Sequence, residues 1–497
     1  MSQSAARRPI QLCRSLRGAF VRAATCSALA AALPLILLNA GCSPHAIQTI
    51  GLPVDLPAVY GKAPESVSDV ADEGRWWTDF NDPQLDALML RAFAANLDLR
   101  QAFARLEQAE AQLRIAGAAR RPTLEGAASA GRSRQPSPFF EAVTADRYEL
   151  SLPAGFEIDL WRRLASLSEA ARLEAVASRE DIKTLYLSLS AQVTDLYYLA
   201  REQQAQLLLT DQQIAAFADT LERVESRYRE GLVPALDVYQ ARQNLATARS
   251  RRPPFESALA AAEHGLAVVL GVYPEPGLIG PPDPLPRPVF PAALPSTLLA
   301  RRPDVEARLL RLQASDARVA AAVAERFPAL RLTGTAGAQS DQLRDLLGSG
   351  NLFWNLLLNL IQPLYDGGRR AAEVERSRAL FEEHLAAYHQ AVLSAFRDVE
   401  DALAAARAGE EQIERLAEVE SDSAAALQLA LERYLAGLSD YLPVLTAQSL
   451  HATAQSQLLA ARRQLIAERI RLARALGGVW MEEQVEQGQP VVSEGAS

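Results

Sequence analysis

Arg227-Tyr228-Arg229-Glu230-Gly231-Leu232-Val233-Pro234-Ala235-Leu236-Asp237-Val238 returns 206 residues later as Arg433-Tyr434-Leu435-Ala436-Gly437-Leu438-Ser439-Asp440-Tyr441-Leu442-Pro443-Val444. Gly231 and Gly437 suit the left-handed cap that ends a helix, so each stretch reads as a tight turn between two helices. The offset holds well away from the turns. Ala246-Thr247-Ala248-Arg249-Ser250 meets Ala452-Thr453-Ala454-Gln455-Ser456, and Asp98, Arg105, Leu106, Pro122 and Gly131 meet Asp304, Arg311, Leu312, Pro328 and Gly337. Distant blocks that share one offset mark an internal duplication. Between the halves, Tyr273–Pro295 carries nine prolines in 23 residues, the composition of a semi-rigid extended linker.

Before each turn runs a long stretch without proline, from about Arg162 to Glu230 and from about Arg369 to Ala436. In the first, Ile182, Leu185, Leu189, Val193, Leu196 and Ala200 step by threes and fours, a coiled-coil-like seam. Nearly 70 helical residues would span about 100 Å, more than a compact domain needs. After each turn the chain is expected to return as a helix, to Gly271 and Gly477. The first return is broken at Pro253-Pro254. Each half opens with a shorter helix, about Gln84–Arg120 and Pro303–Arg326, stopped by Pro122 and Pro328. Arg301-Arg302-Pro303-Asp304 reads as a structural helix start.

Between the short and long helices lie two extended segments per half. Tyr148, Leu150, Leu152, Ala154, Phe156 and Ile158 alternate with Glu149, Ser151, Pro153, Gly155 and Glu157, giving one apolar and one polar face. The partner strand is about Thr123–Ser133, with the loop at Arg134–Asp146. In the second half Ala329–Gln339 and Leu352–Leu364 take these parts around the loop Ser340–Asn351. There Trp354, Leu356, Leu358 and Leu360 share a face opposite Asn355 and Asn359. Such strands suit a membrane-spanning β-segment in length. Four of them cannot close a barrel, and an open edge in lipid leaves backbone groups unpaired. Several chains would have to pool their strands, and three chains would give twelve, within the outer-membrane range. Two hairpins packed on the helices of a soluble protein remain the alternative, and Pro153 weakens one strand.

Composition narrows the class. The chain has 51 basic and 60 acidic residues, a net charge of −9, so it lacks the basic footprint of a nucleic-acid binder. Its mean hydropathy of −0.04 excludes a polytopic helical membrane protein and leaves a β-barrel open. Arg7, Arg8, Arg14, Arg17 and Arg22 precede an apolar stretch, about Ala23–Leu38, and then Asn39-Ala40-Gly41-Cys42. That is the layout of a secretory signal, with a transmembrane anchor as the alternative. Cys13 and Cys26 lie inside it, so only Cys42 would survive cleavage, and no internal disulfide is expected. Small residues before Cys42 resemble a bacterial lipobox, whose cysteine is diacylated. Asn39 stands where an aliphatic residue is usual. The processed chain would carry 46 basic and 60 acidic residues, a charge of −14.

These pieces together resemble the TolC-like outer-membrane efflux family, in its lipoprotein branch serving tripartite efflux systems. The resemblance covers about Cys42–Gly478. It rests on Trp76-Trp77-x-x-Phe80-x-Asp82-Pro83-x-Leu85, on Leu294-Pro295-Ser296-x-Leu298-Leu299-x-Arg301-Arg302-Pro303-Asp304, on Pro363-Leu364-Tyr365-Asp366-Gly367-Gly368-Arg369, and on the two Arg-Tyr-x-x-Gly-Leu turns. It implies a mainly α fold with a small membrane β-barrel, in which each protomer of a homotrimer gives four strands and long helices to a channel-tunnel. It also implies a passive outer-membrane duct, with the helical tunnel in the periplasm. A periplasmic adaptor (membrane fusion) protein and an inner-membrane transporter, of RND type, would be its partners. The helix-turn tips, at Gly231, Leu232, Gly437 and Leu438, would meet the adaptor and close the entrance.

Three departures stand out. The irregular lipobox is one. Phe156-Glu157-Ile158-Asp159-Leu160-Trp161-Arg162-Arg163 lacks the glycine that relatives place at the joint between strand and helix. Relatives also often carry two acids in the second tip, where this chain has Leu442-Pro443-Val444-Leu445-Thr446-Ala447. The entrance is therefore expected to be set mainly by Leu442 and packing, with Thr446 beside it and Asp440 and Asp237 as a weaker electrostatic contribution. The alternative is that these acids only cap helices.

No catalytic constellation appears. Of the five histidines, His45 sits beside the lipid site, and His264, His384, His389 and His451 are scattered along helices, on faces expected to be solvated or to line the tunnel; His384 and His389 are not at metal-binding helical spacing. No phosphate loop or nucleophile elbow occurs. No cofactor, metal site or enzymatic activity is expected. A periplasmic coiled-coil adaptor or scaffold lipoprotein without a pore is the second reading, and a lipid-anchored hydrolase a distant third. The expected organisation is a signal peptide at 1–41, a lipidated extended segment at 42–83, a first repeat at 84–271, a linker at 272–295, a second repeat at 296–478 and a tail at 479–497.

Overall fold

A computed structural model of the chain describes residues 44–46, 48, 51, 75–136, 141–281, 284–287 and 302–477. The expected signal peptide, Cys42, most of the 42–83 segment, much of the linker and the 479–497 tail lie outside the described residues. After a 3₁₀ turn at Trp76–Phe80 come α1 (Pro83–Ala95), α2 (Leu97–Ala118), β1 (Thr123–Leu124), β2 (Ala127–Gln135), β3 (Val143–Ile158), α3 (Arg163–Arg229), α4 (Ala235–Ser250) and α5 (Arg252–Val269). The second half follows as α6 (Pro303–Ala324), β4 (Ala329–Ser340), β5 (Leu352–Ile361), α7 (Arg369–Leu435) and α8 (Leu442–Leu476). Adding 206 to the bounds of α2 and α3 gives those of α6 and α7, so the duplication is one of structure as well as sequence.

The expected single helix at 84–120 is two helices. Asn96 separates them. Its Oδ1 accepts from the backbone N–H groups of Asp98 and Leu99, at 2.9 and 3.1 Å, capping α2, while its Nδ2 donates to the Val269 carbonyl at 2.9 Å. The return after the first turn breaks at Arg251, and Pro253 falls in the first turn of α5, where a missing N–H leaves no helical bond unmade. The second return, α8, is unbroken over 35 residues.

The chain forms two compact units. One takes in the described parts of Met1–Ile50, Ala109–Ala175 and Arg311–Leu385; the other those of Gly51–Gln108, Val176–Leu310 and Ala386–Ser497. The first holds the sheet, antiparallel throughout in the order β1/β2, β3, β4, β5. β1 and β2 lie along the same edge of β3 in one register, Leu124 opposite Ala154 and Ala127 opposite Ser151. The interruption between them falls opposite Pro153. Glu125 donates its N–H to the Pro153 carbonyl at 2.9 Å, and Pro153 has no N–H to return. Hence β1 and β2 are one strand with a missing rung.

At the joint between β3 and α3, Arg162 adopts φ +61°, and its counterpart 206 residues on, Gly368, has φ +87°. The left-handed turn that Gly368 makes in the second half is thus kept in the first half by arginine. Asp159 holds the joint by accepting from the N–H groups of Leu164 and Ala165 at 3.1 and 2.7 Å. Trp161 stacks on Phe327 at 4.8 Å between ring centres and donates Nε1–H to the Pro328 carbonyl.

The core of the second unit explains the Ile182 seam. Ile182, Leu189, Val193 and Ala200 are buried there with Tyr186 and Tyr197 from α3, Trp77, Met89 and Phe93 from the N-terminal elements, and Ile466 and Ile470 from α8. Burial of such side chains is the main stabilising contribution, about 1.5–3 kcal/mol each. Further along α3 the seam against α8 turns polar at heptad spacing. Gln206 exchanges hydrogen bonds with Ser456, Gln213 donates to the Ala452 carbonyl and to Gln455, and Thr220 accepts from Gln448 at 2.7 Å. Arg302 of the Arg-Arg-Pro-Asp start forks onto Asp304 and reaches Asp398 and the Ala475 carbonyl. Its role is structural, as expected. Burial by itself raises the Asp304 carboxyl, but the Arg302 fork and the backbone N–H groups of Val305 and Asp304 together hold the group below its usual value.

Candidate functional site

The two turns, both in the second unit, are built bond for bond alike. Gly231 (φ +73°) and Gly437 (φ +74°) each donate to the carbonyl three residues back, Tyr228 and Tyr434, at 2.9 and 3.0 Å. Leu232 and Leu438 each donate five residues back, to Arg227 and Arg433, at 2.9 Å. This double closure satisfies the last carbonyls of α3 and α7 and needs a residue free to take positive φ. Leu232 and Leu438 are exposed at the tips, and Leu236 and Tyr239 continue an exposed apolar face along α4.

The surroundings of the turns differ. Tyr434 is buried where Tyr228 is exposed, and Tyr441 is buried where the first turn has Ala235. The two tyrosine rings lie 5.3 Å apart within a small core of Val224, Val238, Ala241 and Val444. The Arg227 guanidinium lies 5.1 Å from the centre of the Tyr434 ring and donates to the Leu435 carbonyl at 2.6 Å. Repeat symmetry hid these residues from sequence reasoning, because only one copy carries the tyrosine pair.

Among the expected entrance residues, Leu442 and Thr446 are exposed one helical turn apart on α8, and Thr446 donates its hydroxyl to the Leu442 carbonyl at 3.0 Å. Asp440 is exposed just before them. Asp237 is 8% exposed and accepts from the Tyr434 hydroxyl at 3.4 Å. Burial pushes the Asp237 carboxyl up, the Tyr434 hydrogen bond pulls it down, and the Asp440 charge pushes it up again; it ends above its ordinary value. Burial, together with the Asp237 charge, raises the Tyr434 phenol to about 12. Asp237 does not cap α4: the residue at that position is Pro234, with no side-chain cap.

The sheet, in the first unit, presents a second surface. Residues directly opposite in an antiparallel pair point to the same face. One face therefore reads, row by row, Ile158–Leu330–Leu360, Phe156–Leu332–Leu358, Leu124–Ala154–Gly334–Leu356, Leu152–Ala336–Trp354 and Ala128–Leu150–Ala338–Leu352. It is open: Trp354 is 79% and Leu356 64% exposed. The other face carries the Glu157–Arg331 pair at 3.4 Å, Asn359 donating to Thr333, and Arg147 donating to Gln339. Ser151, on this polar side, is only 6% exposed. Gly337 opposite it permits the close approach, since a Cβ there would sit 2.4 Å from the Leu150 carbonyl oxygen. β5 alone departs from alternation, with exposed Leu357 and Ile361 on the polar side. This is the reverse of hairpins packed on helices, which would cover the apolar rows.

The described histidines lie apart from one another. His264 is exposed, but His45 is half-buried, 2.7 Å from Asp316, and His389 meets the Gly51 carbonyl at 3.1 Å. His451 contacts Ser423. Among the described residues no group of three or more His, Cys, Asp or Glu is arranged to hold a metal, and no helix is long and apolar enough to cross a membrane.

Comparison with known proteins places these features. The profile of the outer membrane efflux protein family matches residues 88–272 and 294–478, two stretches that begin 206 residues apart. The toluene efflux pump outer membrane protein TtgF of Pseudomonas putida is 33% identical over 413 residues, 82% of this chain and 86% of TtgF. The probable outer membrane lipoprotein SilC of Salmonella typhimurium is 30% identical over 90% of this chain and 98% of its own. Among solved structures, the outer-membrane channel OprN superposes with a TM-score of 0.82 at 29% identity, covering 89% of this chain and 99% of OprN.

Proposed function

The chain belongs to the outer membrane efflux protein family, and from that membership we propose that it is the exit duct of an efflux pump: a homotrimeric, outer-membrane channel-tunnel that passes small molecules outward without catalysing a reaction. The observation that carries this reading is the exposed apolar face of a sheet only four strands wide. Such a sheet cannot satisfy its own edges in lipid. Three copies, each joining β5 to the β2 edge of the next, would supply twelve strands and a closed barrel. The polar face, with Glu157, Arg331 and Asn359, would then line the lumen. A pore-free scaffold lipoprotein needs no such face.

The long helices α3 and α7 with their returns would form the periplasmic tunnel. The tips at Gly231, Leu232, Gly437 and Leu438 would contact a periplasmic adaptor, and an inner-membrane transporter of RND type would supply the energy. Leu442 and Thr446, exposed on one face of α8, would form the constriction, with Asp440 adding charge at its rim. Asp237 would act from behind, through Tyr434 and Tyr441. Cys42 would carry the lipid anchor, a reading supported by the likeness to a lipoprotein.

Density-gradient fractionation of membranes from cells expressing the native chain tests the core of this reading. Recovery in the outer-membrane fraction, as a three-copy species by native mass spectrometry that conducts in planar bilayers, is expected. Recovery in the inner-membrane or soluble fraction would overturn it. Cys42→Ala should abolish metabolic labelling with palmitate. Leu442→Ala should raise the open probability of single channels, and an unchanged one would remove Leu442 from the constriction.

A further inference from the structure

The strand register carries the outward face beyond its apolar rows. β2 and β3 remain paired for five residues past the end of β4, from Gly131 opposite Arg147 to Gln135 opposite Val143. On the face of Leu150 and Leu152, the row Ala130–Tyr148–Ser340 comes next, and then Arg132 opposite Asp146 and Arg134 opposite Thr144. From Ile158 to Tyr148 is ten residue steps, about 33 Å along the strand at about 3.3 Å per residue, or about 25 Å once tilted by roughly 40°. That is the height of the apolar band of an outer-membrane barrel. Tyr148 thus falls at the level where aromatic residues meet lipid headgroups, and the two arginines lie just beyond it. Arg132 is 74% exposed and touches Asp146 at 3.5 Å, so this face keeps a net positive charge. Arg134 is exposed and has no partner among the described residues. Arg147, one step along β3, lies on the opposite face and is held by Gln339.

We propose that Arg132 and Arg134 form a binding site on the outward face of the β2–β3 hairpin for the phosphorylated headgroup of an outer-leaflet lipid. Guanidinium groups bind phosphate through two parallel N–H donors, and that geometry suits a planar fork set beside a membrane surface. The apolar rows Leu150 and Leu152 would hold the acyl chains below, so one lipid would meet both halves of the surface. The site would fix the height of the barrel in the membrane. It rests on the outer-membrane reading above.

The test is titration of the detergent-extracted native protein with bis-phosphorylated lipid A, followed by native mass spectrometry. The double variant Arg132→Gln/Arg134→Gln should weaken binding about thirtyfold, on roughly 1 kcal/mol per basic group at a membrane surface. Arg147→Gln, at the same height on the other face, should leave it unchanged. Equal affinity of the wild type and the double variant would overturn the site, as would equal binding of fully dephosphorylated lipid A. Arginine-dependent binding of inorganic phosphate alone, without the lipid, would reassign it to free phosphate and likewise overturn it. Membrane fractionation of the wild type separates the two levels. A wild type absent from the outer membrane defeats the channel reading, whereas a correctly placed wild type with unaltered lipid binding in the double variant defeats only this inference.

Discussion

Arg162 shows how one repeat can keep a left-handed turn without the glycine that its counterpart, Gly368, supplies. A left-handed conformation disfavours any side chain with a Cβ by about 1–2 kcal/mol, while glycine adds about 0.5–1 kcal/mol of unfolded-state entropy to be lost. Arg162→Gly should therefore stabilise the detergent-extracted protein by about 0.5 kcal/mol, and Gly368→Ala should destabilise it by about 1 kcal/mol. Opposite signs in denaturant unfolding would confirm the joint; equal signs would mean that the turn relaxes. The sequence displayed the missing glycine but not its outcome, because φ is not written in residue type once glycine is gone. Asp237 is the second case. Its carboxyl is raised in the folded tip, so the folded state holds the proton to a higher pH than the unfolded chain does. Acidification into that window adds stability to the tip, and rising pH removes it. The protection factors of tip amides, taken after division by the intrinsic exchange rate at each pH, should rise on acidification through the range just above the ordinary carboxylate value in the wild type and stay flat in Asp237→Asn. A wild-type profile as flat as the variant's would place the charge elsewhere.

Elements were legible to different degrees. The bounds of α3 and α7 fall within a residue or so of those read from the sequence, because proline is absent throughout and glycine closes each turn. The break at Asn96 was missed although its signal was present: an Asn followed two residues on by an acid is a helix start as much as a helix interior. β3 begins at Val143, five residues earlier than its apolar alternation suggests. Those residues pair with β2 through backbone groups, and no hydrophobic period marks them. The faces of the sheet were legible, since period two assigns them whatever the surroundings, but which face would be covered was not. Leu356, in the middle row, provides the check. Leu356→Arg should cost about 2–4 kcal/mol and abolish recovery of the assembled protein from the outer membrane, while Asn355→Arg, on the other face of the same strand, should be tolerated. Equal tolerance of both would mean that the apolar rows face no lipid.

At the scale of the whole molecule, duplication was the most readable property, because an offset needs no physics to detect. The surroundings of the proposed entrance were the least readable. Leu442, Thr446 and Asp440 could be chosen by position in the turn, yet Tyr434, Tyr441 and Arg227, which surround Asp237, break the symmetry between halves and could not. What covers the sheet edges lies in other copies, which one chain's sequence names only through the strands it lacks. Stability should therefore depend on association. The thermal transition of the extracted protein should rise with protomer concentration, and a midpoint indifferent to dilution would mean that a single chain is stable by itself.

The polar ladder along α3 and α8 bears on how the tunnel responds to heat. Gln206, Gln213 and Thr220 meet Ser456, Gln455 and Gln448 where a coiled coil would ordinarily bury leucine. Parting these helices would wet amides and hydroxyls that water can satisfy, together with the hydrocarbon of Phe217, Val224 and Val444 between them. Hydrocarbon exposure is what gives protein transitions their large positive heat-capacity change, and polar exposure contributes with the opposite sign. A movement that parts this seam would thus have a smaller heat-capacity change than the parting of an all-leucine seam, and its van 't Hoff plot should curve less than that for unfolding of the same protein.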